Sequence, residues 1–188
     1  MEKNRNRKMN SIKDASFHRR NIKKSSTSSN HLLEIMQESS QLPTDEQITV
    51  LANFMSQIVQ ACVEGSSEFM TPTTANVFFQ FIRHHARLTL GEMLSAIHVL
   101  VTVLRKCQEK NDNTLGVDNI GTALVCIFIV SLKFLRDIQN HNPWWAETFK
   151  MNLETINESE IIILQLMDWK LWTSDKNFIH FYSRVFKV

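Results

Sequence analysis

The chain has 188 residues, of which 43% are hydrophobic and only 4 are Gly and 3 Pro, so the length allows one sizeable core plus a tail and a many-stranded sheet is disfavoured against helices. The net charge of +2 hides an asymmetry: nine of the 21 basic residues but two of the 19 acidic ones precede His31, leaving a body with twelve basic and seventeen acidic residues. An acidic body disfavours a phosphate-tracking nucleic-acid surface, and three distant cysteines, Cys62, Cys107 and Cys126, without CxxC spacing point to a reducing compartment rather than to a disulfide framework or a zinc site.

Residues 1–30 are basic, Asn- and Ser-rich and nearly free of apolar side chains, a composition that cannot offset the entropy of ordering, so a disordered tail is predicted. No apolar signal-peptide core follows the start, which leaves a cytoplasmic or nuclear setting. Arg19, Arg20, Lys23 and Lys24 followed by Ser25, Ser26, Thr27, Ser28 and Ser29 read as a nuclear-import patch beside a phosphorylation cluster, or as a plain solvated tail. Such a tail could bind an additional protein or an anionic surface. Leu32, Leu33, Ile35 and Met36 predict a helix of one or two turns that docks on the domain.

After Leu42-Pro43, Thr44 and Gln47 form a capping-box pattern with Asp45 and Glu46 in the first turn. The apolar residues Ile48, Leu51, Phe54, Met55, Ile58, Val59 and Cys62 recur at helical spacing until Gly65-Ser66-Ser67. Thr71-Pro72 opens a second helix whose predicted stripe is Val77, Phe78, Phe81 and Ile82, with His84 and His85 at its polar end. Adjacent histidines on a helix point about 100° apart and cannot share one metal ion. Thr89 and Glu92 make another capping box, and a long helix runs from there to Arg105 and Lys106, with His98 read as a hydrogen-bonded packing residue.

The stretch Asn119–Asp137 is apolar or small on nearly every side, as in a helix at the centre of a core. Its unbroken part, Ala123 to Leu132, is about half the ~20 residues that a bilayer requires, so no membrane span is predicted. From Ile120 to Leu135 it carries one cation, Lys133, near its end. Beyond it, Ile138 to Pro143 reads as a loop, Trp144, Trp145 and Phe149 as a short helix, and Asn152 to Asn157 as a connection. Glu158 to Met167 then forms a helix with Ile161, Ile162, Leu164 and Leu166 around Glu160. Asp168 to Trp172 leaves it, and Ser174 caps a last helix. About seven helices and no strand result, an all-α fold. No GxSxG elbow, HExxH pair, EF-hand or Gly-rich phosphate loop occurs, so no catalytic residue, metal or cofactor is assigned.

From about Pro72 to Leu171 the pattern resembles a cyclin box, the five-helix domain by which cyclins bind and activate cyclin-dependent kinases. Val130 to Asp137 resembles the end of the third box helix, Asn142-Pro143-Trp144-Trp145-Ala146 the N-x-x-W/Y-A entry to the fourth, Glu160 to Leu164 the E-x-x-x-L of the fifth, and Leu166 to Leu171 its L-x-W/F-x-L ending. The chain is most similar to single-box cyclins of the PCL and cyclin Y type, through Phe81-Ile82-Arg83 and the helix ending at Arg105. It departs from the family in lacking the M-R-x-x-L-x-D-W-L opening of cell-cycle cyclins, and in having Thr122 where PCL-type boxes usually carry Arg.

The resemblance implies an N-terminal flanking region over 31–70, a box over 71–172 and a C-terminal helix over 173–188. It also implies a non-catalytic regulatory subunit of a protein kinase, with a cell-cycle or related role. Lys133 and Glu160 would hydrogen-bond the kinase backbone beside its C-helix, and Phe134, Leu164 and Leu171 would be the apolar anchors around them. The alternative is a cyclin-like helical adaptor or transcription-factor-type scaffold that activates no kinase.

Overall fold

The computed structural model describes residues 30–138 and 140–187. The basic patch and the cluster Ser25 to Ser29 therefore lie outside the described residues. The chain divides after Glu38 into two units, and the fold below is that of the second. The described residues are all-α, without a strand. A helix over residues 30–39, α1, spans almost three turns and is longer than its apolar pattern predicted. It is followed by α2 (Asp45–Cys62), a 3-10 turn (Ser66–Glu68), α3 (Pro72–Ala86), α4 (Leu90–Lys110), α5 (Ile120–Leu135), α6 (Asn142–Phe149), α7 (Leu153–Leu166) and α8 (Asp175–Phe186).

Local chemistry sets the helix starts. Both predicted capping boxes form: Thr44 with Gln47 opens α2, and Thr89 with Glu92 opens α4, each side chain bonding the other residue's backbone N–H. This satisfies two of the donors that a helix start leaves without partners. Pro72 sits at the start of α3, where its missing N–H costs nothing. Two starts differ from the sequence reading. α7 begins at Leu153 rather than Glu158, because the Asn152 side chain accepts from the N–H groups of Glu154 and Thr155. α6 begins at Asn142, with Pro143 inside its first turn instead of ending a loop.

Helix α5 forms the centre. Every residue from Ala123 to Leu132 is buried, and the helix packs chiefly between α4 and α7. α2 lies against α3, α6 against α7, and α8 against α2 and α4. The inward stripe of α3 is Ala75, Phe79, Ile82 and Ala86, which follows steps of four, three and four; Val77, predicted to join it, is exposed. Phe78, Phe79 and Phe128 meet edge-to-face and fix α3 against α5. His98 does what its position on α4 suggested: its ring meets Phe181 edge-on and its Nδ1 shares a hydrogen bond with Thr173 Oγ1 at 3.1 Å. His84 and His85 are exposed, their rings in contact with each other and His85 against Phe81.

The segment entering α2 is held by a close backbone approach. A Cβ on Gly91 would lie 3.0 Å from the Ser39 carbonyl oxygen, and the Leu90 N–H donates to the Gln41 carbonyl at 2.8 Å. A glycine is needed there for space rather than for its backbone angle.

Candidate functional site

Burial ends abruptly along α5. Leu132 is the last buried residue, Lys133 is partly exposed, and Phe134 and Leu135 are exposed by 48% and 44% although the helix continues through them. The large apolar side chains left exposed at the end of this core helix are contiguous, which makes the face a candidate interaction surface. α7 runs beside α5 and presents Ile161, 51% exposed, and Leu164 to the same side. The chain that leaves α7 returns Leu171.

These side chains form a groove of about 450 Å³, lined by Val130, Lys133, Phe134, Asn157, Glu160, Ile161, Leu164 and Leu171. All five residues assigned a partner-binding role from the sequence, Lys133, Phe134, Glu160, Leu164 and Leu171, line this one groove, though they come from three separate stretches. The hollow continues past Phe134 and Leu171 into a second one of about 200 Å³, where Leu135, Trp172 and Phe178 are apolar walls and Ser95 and Asp175 are polar points. Trp172 is 75% exposed.

The polar centre of the groove is the Lys133–Glu160 pair. The ammonium lies 2.7 Å from Glu160 Oε2 and 2.6 Å from Oε1. Glu160 is buried and Lys133 is one-third exposed, so the lysine tops the carboxylate at the rim. Asn142 Nδ2 donates to Glu160 Oε2 at 2.5 Å and to Asn157 Oδ1 at 2.7 Å. Two acceptors at this centre, Glu160 Oε1 and Asn142 Oδ1, are buried and accept no well-directed hydrogen bond. Beneath it, burial pushes the Cys126 thiol up to about 11, so it is a neutral packing group there.

Three residues later on the same chain stands a second pair. Arg136 Nε bonds Glu92 Oε1 at 2.5 Å, and its other nitrogens reach Glu92 Oε2 and the carbonyls of Ala86 and Arg87. Glu92 is also the capping-box residue of α4. Burial pushes its carboxyl up, but the bonds from Arg136 and Thr89 and the Arg136 charge outweigh that and hold it below its ordinary range. This pair locks the end of α5 to the turn between α3 and α4.

Among the described residues no cluster of three or more His, Cys, Asp or Glu could hold a metal ion, and no helix is long and apolar enough to cross a membrane. A further hollow lies beside Cys62 and Cys107; burial pushes both thiols up, so neither is a ready nucleophile.

The sequence reading missed several features of the groove and its surroundings. Ile161 and Ile162 are exposed, whereas the inward stripe of α7 is Ile156, Glu160, Ile163 and Leu166. Asn157 precedes Glu160 by three residues and so shares its helix face, a signal available in the sequence. Asn142 was singled out only as the entry to a helix. Trp169 is brought to the surface by two consecutive residues in the left-handed region, Asp168 (φ 50°) and Trp169 (φ 60°), which no glycine announced. No family model matches the chain, and no curated protein or solved structure matches it.

Proposed function

We propose that this chain is a cyclin, a regulatory subunit that binds and activates a cyclin-dependent protein kinase and performs no catalysis itself. The observation that carries the reading is the convergence of Lys133, Phe134, Glu160, Leu164 and Leu171 on one groove. Five helices, α3 to α7, lie between Pro72 and Leu166, the number a cyclin box requires, with α2 before them and α8 after.

The chemistry of the groove suits such a partner. Exposed Phe134 and Ile161 with Leu164 and Leu171 offer an apolar patch that excludes water and supplies affinity, and the charged pair supplies orientation. Lys133 has donors to spare for a partner carbonyl, while the Glu160 carboxylate can accept from a partner N–H once the lysine shifts aside. Docking against the kinase C-helix would shift that helix inward through differential binding, so that the kinase's own Lys–Glu pair forms and its activation segment orders. A cytoplasmic or nuclear site of action, and regulation through the basic Ser-rich tail, belong to the same proposal.

Co-purification with a panel of cyclin-dependent kinases tests it. Glu160→Lys is expected to weaken binding to the cognate kinase by about 2–5 kcal/mol, the cost of disrupting a desolvated charged contact, with the fold of the variant checked by circular dichroism and thermal unfolding. Unchanged binding by that variant would refute the assignment of the surface, and no binding of wild type to any kinase would refute the function.

A further inference from the structure

We propose that Asn142, backed by Asn157, is a positioning residue that holds the Glu160 carboxylate in the orientation the groove uses. The inference rests on reading the groove as a kinase-docking surface. Asn142 is the first residue of α6 and reaches across to α7, where Nδ2 donates at once to Glu160 Oε2 and Asn157 Oδ1. A carboxylate oxygen only accepts, so its charge fixes which end of the Asn142 amide faces it.

Two observations separate this contact from an ordinary tie between helices. Among the described residues the side chains that hold Glu160 are Lys133 and Asn142, and of these Lys133 stands at the rim, partly exposed. When a partner carbonyl draws the ammonium away, Asn142 is what keeps the carboxylate in place. Secondly, Asn142 Oδ1 is buried without a hydrogen bond, and Glu160 as a whole is only 8% exposed. A buried acceptor left in that state lowers the stability of the free chain. The arrangement gives up stability to aim a carboxylate, which is the expected signature of a site rather than of a strut.

The test uses Asn142→Asp. This change keeps the shape and suits the start of α6, where an acidic residue is favoured by the helix dipole, but it replaces the donor by an acceptor facing Glu160. Three-bond couplings across χ1 of residue 160 are measured by NMR in the free protein, with kinase affinity measured in parallel. Wild type is expected to show one rotamer, Asn142→Asp an averaged set and at least tenfold weaker kinase binding. The exchanged pair Asn142→Asp/Glu160→Gln should return to one rotamer, because the amide introduced at position 160 donates to the carboxylate introduced at position 142. Asn142→Ala, which withdraws the donor without adding charge, serves if Asn142→Asp fails to fold.

A single residue-160 rotamer in Asn142→Asp would overturn the positioning role whether or not a kinase binds. An averaged rotamer with unchanged kinase affinity would overturn it as well. If wild type binds no kinase while the couplings behave as stated, the docking reading fails alone and the hold of Asn142 on Glu160 stands.

Discussion

Two ion pairs leave the same end of α5 three residues apart, and they do different work. Arg136–Glu92 uses its hydrogen-bonding capacity inside the molecule: the guanidinium reaches a carboxylate and two backbone carbonyls, and the carboxylate also caps α4. Lys133–Glu160 is barely more exposed, yet it stands in an apolar groove, shares its carboxylate with Asn142, and leaves the Asn142 carbonyl oxygen buried without a hydrogen bond. If the groove docks a partner as proposed, the difference teaches that exposure alone does not sort structural from interacting pairs. What sorts them is whether each member's partners are all satisfied within the chain and whether apolar surface around the pair remains uncovered.

The largest effect on stability is expected where the satisfied pair is broken. Arg136→Met should cost about 3 kcal/mol, at the low end of the range for removing one partner of a buried pair, because Glu92 loses its charged partner, keeping only the Thr89 N–H, and two carbonyls lose a hydrogen bond. Thermal unfolding should fall by roughly 6–12 °C for a chain of this size. A change under about 2 °C, less than a 1 kcal/mol effect produces, would erase the contrast between the pairs. Lys133→Met should be milder, about 1 kcal/mol or less, because the lysine is partly solvated and Asn142 still serves Glu160.

Acid sharpens the comparison without mutation. A carboxyl held below its ordinary range in the folded chain stabilises the fold above that range, and the contribution is lost as pH falls through about 4.5 and below. The acid arm of the stability curve should therefore be shallower in Arg136→Met than in wild type. His98 acts in the same direction at higher pH. Burial holds its imidazole below the ordinary 6.5, so its contribution is complete above that value and declines as the pH drops through it. Replacing His98 by Gln should flatten the curve between about pH 6.5 and 5, read by denaturant midpoints at a series of pH values. The smallest effect belongs to Arg105–Glu109, an exposed pair within α4: Arg105→Ala should change stability by no more than about 0.5 kcal/mol.

Much of the all-α fold was legible because its signals are local. Thr44 with Gln47 and Thr89 with Glu92 sit three residues apart, and the apolar run of α5 needs no partner to be recognised. Signals that depend on a second element were not legible. The first turns of α7 bury only Ile156, so its start lacks an apolar period, and only the Asn152 cap announced it. Val77 and Phe79 differ in which one meets α5, which a run of apolar residues cannot say. The groove residues were named through a family resemblance, whereas the bonds from Arg136 to Glu92 and from Asn142 to Glu160 join residues 44 and 18 apart and depend on the packing of whole helices.

The most direct test is a pull-down and titration of wild type and a Lys133→Ala/Glu160→Ala double variant against the kinase panel, with folding of both checked by thermal unfolding. Wild type is expected to bind and activate one kinase and the folded double variant to lose both properties, while Arg136→Met, assayed below its unfolding temperature, keeps the kinase. Loss of binding in Arg136→Met with retention in the double variant would contradict the docking role of the groove, and so would a wild-type chain that binds none of the kinases.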